Sequence, residues 1–204
     1  MNENNKEKKF EAFVDRPKGA HYVKSNEWYT PKSIFDKLKI NTCFDCDSNF
    51  FDLDPASNCD ANKIVNAKKY YSLENGQDGL QEEWKGKIWL NPPYSIHTKD
   101  WLEKAIEVGY DLDSNNQIYA LVFARTDTKW FQEVATQFQV MCFIKGRIRF
   151  INGETLKESS SAGAGSLLLS IGAEFNDRLI KSNMGFIVDN RKYQIRQRRD
   201  IINT

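Results

Sequence analysis

Apolar residues gather into short, nearly unbroken runs along the chain, and the stretches between them carry apolar positions every third or fourth residue. Residues 50–54, 88–90, 117–124, 140–144 and 166–171 form the runs. Each is of strand length and ends at polar or turn-forming residues, as expected of strands covered on both faces. Residues 101–108 place Trp101, Leu102, Ala105, Ile106 and Val108 at helical spacing, and residues 127–138 read as a second helix with Asp127 as N-cap. Ahead of the first run, Thr30 is predicted to cap an amphipathic helix that begins at Pro31 and turns Ile34, Phe35 and Leu38 inward. Residues 61–71 give a further helix and a short second strand. This alternation predicts an α/β fold: a Rossmann-like, doubly wound and mostly parallel sheet flanked by helices, with residues 166–171 as its last strand.

Composition changes this picture little. A chain of 204 residues fits one domain with a full core. Residues 1–25 are polar with thinly spread aromatics and read as a flexible N-terminal arm, 26–175 as the domain, and 176–204 as a basic C-terminal extension. The cluster Arg196-Gln197-Arg198-Arg199 in that extension suits phosphate contacts and equally a solvated helix. Lys and Arg number 29 against 28 acids, so any nucleic-acid surface must be local. With no apolar run of about 18 residues and a charged N-terminus, a membrane span or secretory signal is not expected, and the cytoplasm is the expected location. The four cysteines, Cys43, Cys46, Cys59 and Cys142, are then reduced thiols. Cys43, Cys46 and Cys59 lack a second close pair or a histidine at ligand spacing, so no metal site is expected.

The candidate chemistry sits where the strand at 88–90 stops abruptly at Asn91-Pro92-Pro93-Tyr94. Two prolines donate no N–H and hold the loop extended, so backbone carbonyls and the Asn91 side chain form a set of acceptors beside the Tyr94 ring. A planar group bearing an NH₂ fits such a set. An aromatic plug at a strand-to-turn junction would explain an isolated Asn-Pro-Pro; the buried strand ahead and the aromatic behind favour the chemical reading.

Asn91-Pro92-Pro93-Tyr94 resembles the catalytic tetrapeptide of amino-group methyltransferases that use S-adenosylmethionine. Glu27-Trp28-Tyr29-Thr30-Pro31, Phe51-Asp52-Leu53-Asp54-Pro55, Asp78-Gly79-Leu80, Trp84, Arg125-Thr126-Asp127-Thr128 and Gly146-Arg147-Ile148-Arg149-Phe150 accompany it in order. Together they resemble the phage and prophage DNA N-6-adenine-methyltransferase (Dam) family over about 26–171. The resemblance implies the class I methyltransferase fold and S-adenosylmethionine as cofactor. It further implies DNA as partner, with transfer to N6 of a flipped-out adenine; no membrane partner is expected, and the oligomeric state stays open between a monomer and a weak dimer. It places Asn91, Pro92, Pro93 and Tyr94 at the reaction, with Asn91 and the Pro92 carbonyl accepting the two N6 hydrogens and Tyr94 stacking on the base. Because stacking needs only the ring, Tyr94→Phe is expected to be mild.

Tyr29, Thr30 and Pro31, with Asp54, Pro55, Ala56 and Asp78, are the implied cofactor residues, and Arg125, Lys145, Arg147 and Arg149 the implied DNA contacts. The family's usual Gly-x-Gly after the first strand is missing; Asn58-Cys59-Asp60 stands there instead. Two other readings stay open: a methyltransferase of RNA bases or of a glutamine amide in proteins, since the tetrapeptide reads any planar NH₂, and a DNA-binding relative without turnover.

Overall fold

A computed structural model describes residues 27–42, 49–94, 97–159 and 162–191. The expected N-terminal arm, Cys43, Cys46 and the cluster at 196–199 lie outside these residues. Seven strands form one sheet in the spatial order β3-β2-β4-β5-β8-β6-β9. These are β2 (Leu53–Asp54), β3 (Lys69–Tyr70), β4 (Lys87–Leu90), β5 (Gln117–Phe123), β6 (Val140–Ile144), β8 (Ser166–Ile171) and β9 (Gly185–Asp189). A two-residue strand, β1 (Trp28–Tyr29), pairs antiparallel with β7 (Ile151–Asn152) in a small separate ribbon.

The apolar runs are strands because both sheet faces are covered. Trp89, Tyr119 and Leu121 point into one core layer with α1 (Lys32–Lys37), α2 (Cys59–Val65) and α5 (Ala173–Lys181). Ile88, Leu90, Ile118, Ala120 and Val122 alternate with them and point into the other layer. That layer holds α3 (Thr98–Gly109) and α4 (Lys129–Glu133). Trp89 and Tyr119 are fully buried at the centre of an aromatic cluster with Phe35, Phe51 and Phe175.

The sheet is mixed but mostly parallel: β3, β2, β4, β5 and β6 run one way, and β8 and β9 run against them. Pairings β3-β2, β2-β4 and β4-β5 are parallel, whereas β8 runs antiparallel to both β5 and β6, and β9 antiparallel to β6. No helix separates β6 from β8 among the described residues, and strands joined without a crossover helix pair antiparallel. Residues 166–171 are not the last strand, because β9 follows α5 in the chain and pairs with β6 at the edge of the same sheet.

Both predicted helix caps shift. Pro31, with ψ 147°, is itself the N-cap of α1, so Thr30 lies one residue outside and its hydroxyl caps nothing. The turn at 125–128 is tied by the Thr128 hydroxyl donating to the Arg125 carbonyl at 2.7 Å, which moves the start of α4 to Lys129 with Thr128, not Asp127, as N-cap. The expected helix over 127–138 is also divided, into α4 and a 3-10 turn at Ala135–Gln137. Asn58-Cys59-Asp60, in place of Gly-x-Gly, opens α2: Asn58 Oδ1 accepts from the Ala61 N–H at 2.9 Å.

Candidate active site

The parallel half of the sheet directs the ends of β2 and β4 toward one cleft. Asp54 is the last residue of β2, and Asn91 follows the last residue of β4. Tyr29, Thr30, Asp54, Pro55, Ala56 and Asp78 line this cleft, and so do Asn91, Pro92, Pro93 and Tyr94. Pro31 does not; it turns away into the start of α1. Residues more than sixty positions apart are thus gathered beyond the strand ends, where open α/β sheets bind their ligands.

At the tetrapeptide, the Asn91 side chain is held from both sides. Its Nδ2 donates to the Trp28 carbonyl at 2.7 Å, and its Oδ1 accepts from the Tyr94 hydroxyl at 2.9 Å. The first bond directs the oxygen away from β1, and the second fixes its rotamer. The Tyr94 ring stacks on Phe123, with centroids 4.0 Å apart and planes 19° apart, and meets Phe150 edge-on. Burial raises the phenol pKa far above its ordinary value, so the hydroxyl keeps its proton and acts as a donor. The loop carbonyls are partly engaged: Pro93 accepts from the Thr98 hydroxyl at 3.4 Å, whereas Pro92, itself buried, has no partner on its carbonyl among the described residues.

The opposite wall is built by two loops packed backbone against backbone. A Cβ on Gly79 would lie 1.9 Å from the Pro55 carbonyl oxygen, so only glycine allows the Asp78 loop to close on the turn after β2. Lys104 on α3 then clamps that loop, its ammonium donating to the carbonyls of Gly79, Leu80 and Glu82, while Trp84 Nε1 donates to Gly79 as well. Asp78 Oδ1 accepts from the Leu80 N–H at 3.0 Å in a local turn.

Two carboxyls in the cleft are pushed upward. Asp54 is 2% exposed, and burial lifts its pKa from 3.8 to about 7; bonds from Ser57 and the Ala56 N–H oppose the rise, and the Glu27 charge adds to it. Glu27, which lines the cleft from the residue before β1, is raised by burial and then by Glu74. Because the folded pKa of Asp54 lies above its ordinary value, the folded chain keeps a proton that the unfolded chain releases. Stability of the ligand-free protein should therefore fall as pH rises from about 4 to about 7, by up to roughly 4 kcal/mol from this one group. Urea unfolding of wild type and Asp54→Asn at pH 5 and pH 8 checks this: the difference between the two proteins should grow at pH 8 in favour of the amide, and an equal difference at both pH values would refute the assignment.

The basic residues lie elsewhere. Arg125, Lys145, Arg147 and Arg149 are exposed and make no ion pair among the described residues, while the alternating Ile148 and Phe150 are buried in the core. Arg125 lies over the Phe123 ring, 6.0 Å from its centroid, on the ring that backs Tyr94. A Cβ on Gly165 would lie 3.9 Å from Arg147 Nη1 and 3.8 Å from the side chain of Ala124, so Arg147 reaches the residue before β8, opposite the end of β5.

Sequence reasoning missed Glu27, Trp101 and Lys104. Trp101 was legible only as an inward helix residue, and a lysine gathering three carbonyls leaves no local pattern. Of the two described cysteines, Cys59 is exposed and Cys142 buried, both as free thiols. No described helix is long and apolar enough to cross a membrane.

The model of one protein family, DNA N-6-adenine-methyltransferase (Dam), matches residues 20–197 of the chain. The chain is also 31% identical over 159 residues to a DNA N-6-adenine-methyltransferase of Escherichia phage T1. That match takes in 69% of this chain and 60% of the phage protein, so the chain spans about three fifths of the length of the relative it matches.

Proposed function

This chain belongs to the DNA N-6-adenine-methyltransferase (Dam) family, and on that premise we propose that it transfers a methyl group from S-adenosylmethionine to N6 of adenine in DNA. The observation that carries the reading is the convergence of Asn91, held by Trp28 and Tyr94, with the Asp54 and Asp78 loops in one cleft. The finer fold assignment, a Rossmann-like class I methyltransferase domain, is part of the same proposal. It is supported by helices on both sheet faces and by the cleft beyond the parallel strand ends.

The cleft fits the cofactor on its own chemistry. The cleft is lined by apolar and polar groups together, Trp101 and Pro55 beside Asp54, Asp78 and Asn91, and Asp54 and Glu27 have no basic partner among the described residues, which suits a ligand that carries both a flat ring and a positive charge. Tyr29, Thr30, Asp54 and Asp78, with the Pro55-Ala56 turn, would hold it. When bound, S-adenosylmethionine supplies an electrophilic methyl group on a sulfonium.

The protein's task is then to make N6 nucleophilic. The adenine amino lone pair is delocalised into the ring. Asn91 Oδ1 and the Pro92 carbonyl, accepting the two N6 hydrogens, favour the more tetrahedral nitrogen and are in place before charge develops on it. Asn91 Oδ1 can accept from N6 and Tyr94 together because it carries two lone pairs. One face of the Tyr94 ring is taken by Phe123, so a flipped base would stack on the other, offsetting part of the few kcal/mol that unstacking costs. Incubation with DNA and S-adenosylmethionine, digestion to nucleosides and mass spectrometry should yield N6-methyladenine. Methylated cytosine, methylated RNA or protein, or no product with the cofactor bound would defeat the proposal.

Arg125, Lys145, Arg147 and Arg149 are proposed to contact the DNA backbone. Neutralising Lys145, Arg147 and Arg149 together should weaken binding for all sequences and flatten the slope of log K against log salt by up to about 0.9 per lost phosphate contact. Ile148 and Phe150, left in place, keep the segment anchored. An unchanged slope would move the interface elsewhere.

A further inference from the structure

We infer that Lys104 is a positioning residue of the cleft: from α3 its ammonium locks the loop that carries Asp78 in place opposite the tetrapeptide, and so sets affinity for the methyl donor, which on the reading above binds between them. Three backbone carbonyls converge on its Nζ, those of Gly79 at 3.1 Å, Leu80 at 2.9 Å and Glu82. An ammonium carries three N–H donors and a neutral amine two, so this set of acceptors matches the charged form. Lysine ordinarily leaves its head in water. Here the side chain is half-buried, makes no ion pair among the described residues, and holds its ammonium 5.1 Å over the Trp84 ring. Burial lowers its pKa, and the charges of Asp78, Glu107 and Glu82 oppose the fall.

The loop it holds is boxed by one helix face. A Cβ on Gly79 would meet not only the Pro55 carbonyl oxygen at 1.9 Å but also the Trp101 ring at 2.9 Å. The Gly79 carbonyl accepts from Trp84 Nε1 at 2.7 Å as well as from Lys104, and Trp84 stacks on Trp101 with centroids 6.0 Å apart. Trp101 lines the cleft and stands three residues before Lys104, a spacing that puts both on one face of α3.

The same helix starts at the acceptor loop. The Thr98 hydroxyl donates to the Pro93 carbonyl at 3.4 Å, and Lys104 follows Thr98 by six positions, about 9 Å along the axis. One rigid element thus ties the tetrapeptide at its first turn and the Asp78 loop at its second, and fixes the gap between them. Slackening that tie costs affinity for a donor held between the two walls, because an unheld loop must be ordered when the ligand arrives.

Lys104→Met keeps the apolar stem and removes the three donors. Calorimetry should show it binding S-adenosylmethionine about tenfold more weakly than wild type, and steady-state kinetics should place the loss on KM for the donor rather than on kcat. Lys104→Ala adds a test that a packing role would fail: n-propylammonium chloride, which restores the missing stem and charge, should recover most of the affinity, whereas 1-propanol or an equal concentration of sodium chloride should not. Wild-type affinity in the methionine variant, a loss confined to kcat, or recovery with 1-propanol equal to that with n-propylammonium would each overturn the inference, as would failure of n-propylammonium to recover any affinity. Wild-type protein that binds no S-adenosylmethionine removes the donor assignment, and this inference falls with it; wild-type binding matched by the methionine variant removes this inference alone.

Discussion

Asn91→Ala should cut methyl transfer by at least about a hundredfold while S-adenosylmethionine binding stays near wild type. The side chain is already oriented, by Trp28 on its nitrogen and Tyr94 on its oxygen, so it loses no freedom when N6 arrives. Its acceptor matters most as positive charge develops on N6, and deleting one preorganised polar group of this kind costs roughly 10²–10³ in turnover. Asn91→Asp separates orientation from acceptance. The carboxylate still accepts, but it cannot donate to the Trp28 carbonyl, so its set of fixed orientations is lost and its rate should fall between wild type and alanine. Single-turnover transfer at saturating cofactor gives the rates, and calorimetry the cofactor affinity. An alanine variant that transfers at the wild-type rate, or one that loses the cofactor in proportion to its rate, would defeat the acceptor role.

How much of this could be read from the chain follows from how local each cause is. Val140–Ile144 and Ser166–Ile171 fall where the runs place them, and Gln117–Phe123 within one residue, because strands buried on both faces leave continuous apolar segments. The abrupt polar stop after Leu90 located the loop for the same reason. Pairing direction is not local. β8 carries the same signal as β5, and only the absence of a crossover helix before it makes it antiparallel. β9 is half exposed, Phe186 strongly so, and its residues sit between an amphipathic helix and a basic tail, so it reads as extension and not as strand. Caps failed for a different reason. Thr30 and Asp127 are good capping residues, but an extended proline and a threonine-tied turn each shift the helix start beyond them. Of the residues chosen by type and position for the cofactor and the reaction, all but Pro31 line one cleft, whereas Glu27 joins them through Asn58, a partner 31 residues away that no local pattern reveals.

Tyr94 is the residue whose expected behaviour the structure changes most. Judged by its ring alone, Tyr94→Phe would be mild. Its hydroxyl, however, donates to Asn91 Oδ1 at 2.9 Å, and phenylalanine removes one of the two bonds that set the acceptor's rotamer. A hydrogen bond of this kind is worth about 1 kcal/mol net, so the phenylalanine variant should transfer methyl about fivefold more slowly at saturating cofactor and DNA. Tyr94→Ala removes that bond, the stack on Phe123 and the platform for the base together. Base stacking contributes roughly 1–3 kcal/mol by itself. The alanine variant should therefore lose about a hundredfold or more in kcat/KM, with DNA affinity or the flipping step reduced as well, whereas phenylalanine spares both. Flipping is followed by 2-aminopurine fluorescence at the target position once the recognition sequence is mapped. A phenylalanine variant at full rate would show that the Tyr94 hydroxyl does not position Asn91. A phenylalanine variant as impaired as alanine would mean that the ring contributes nothing beyond its hydroxyl, and the stacking wall formed by Tyr94 and Phe123 would have no part in holding the base.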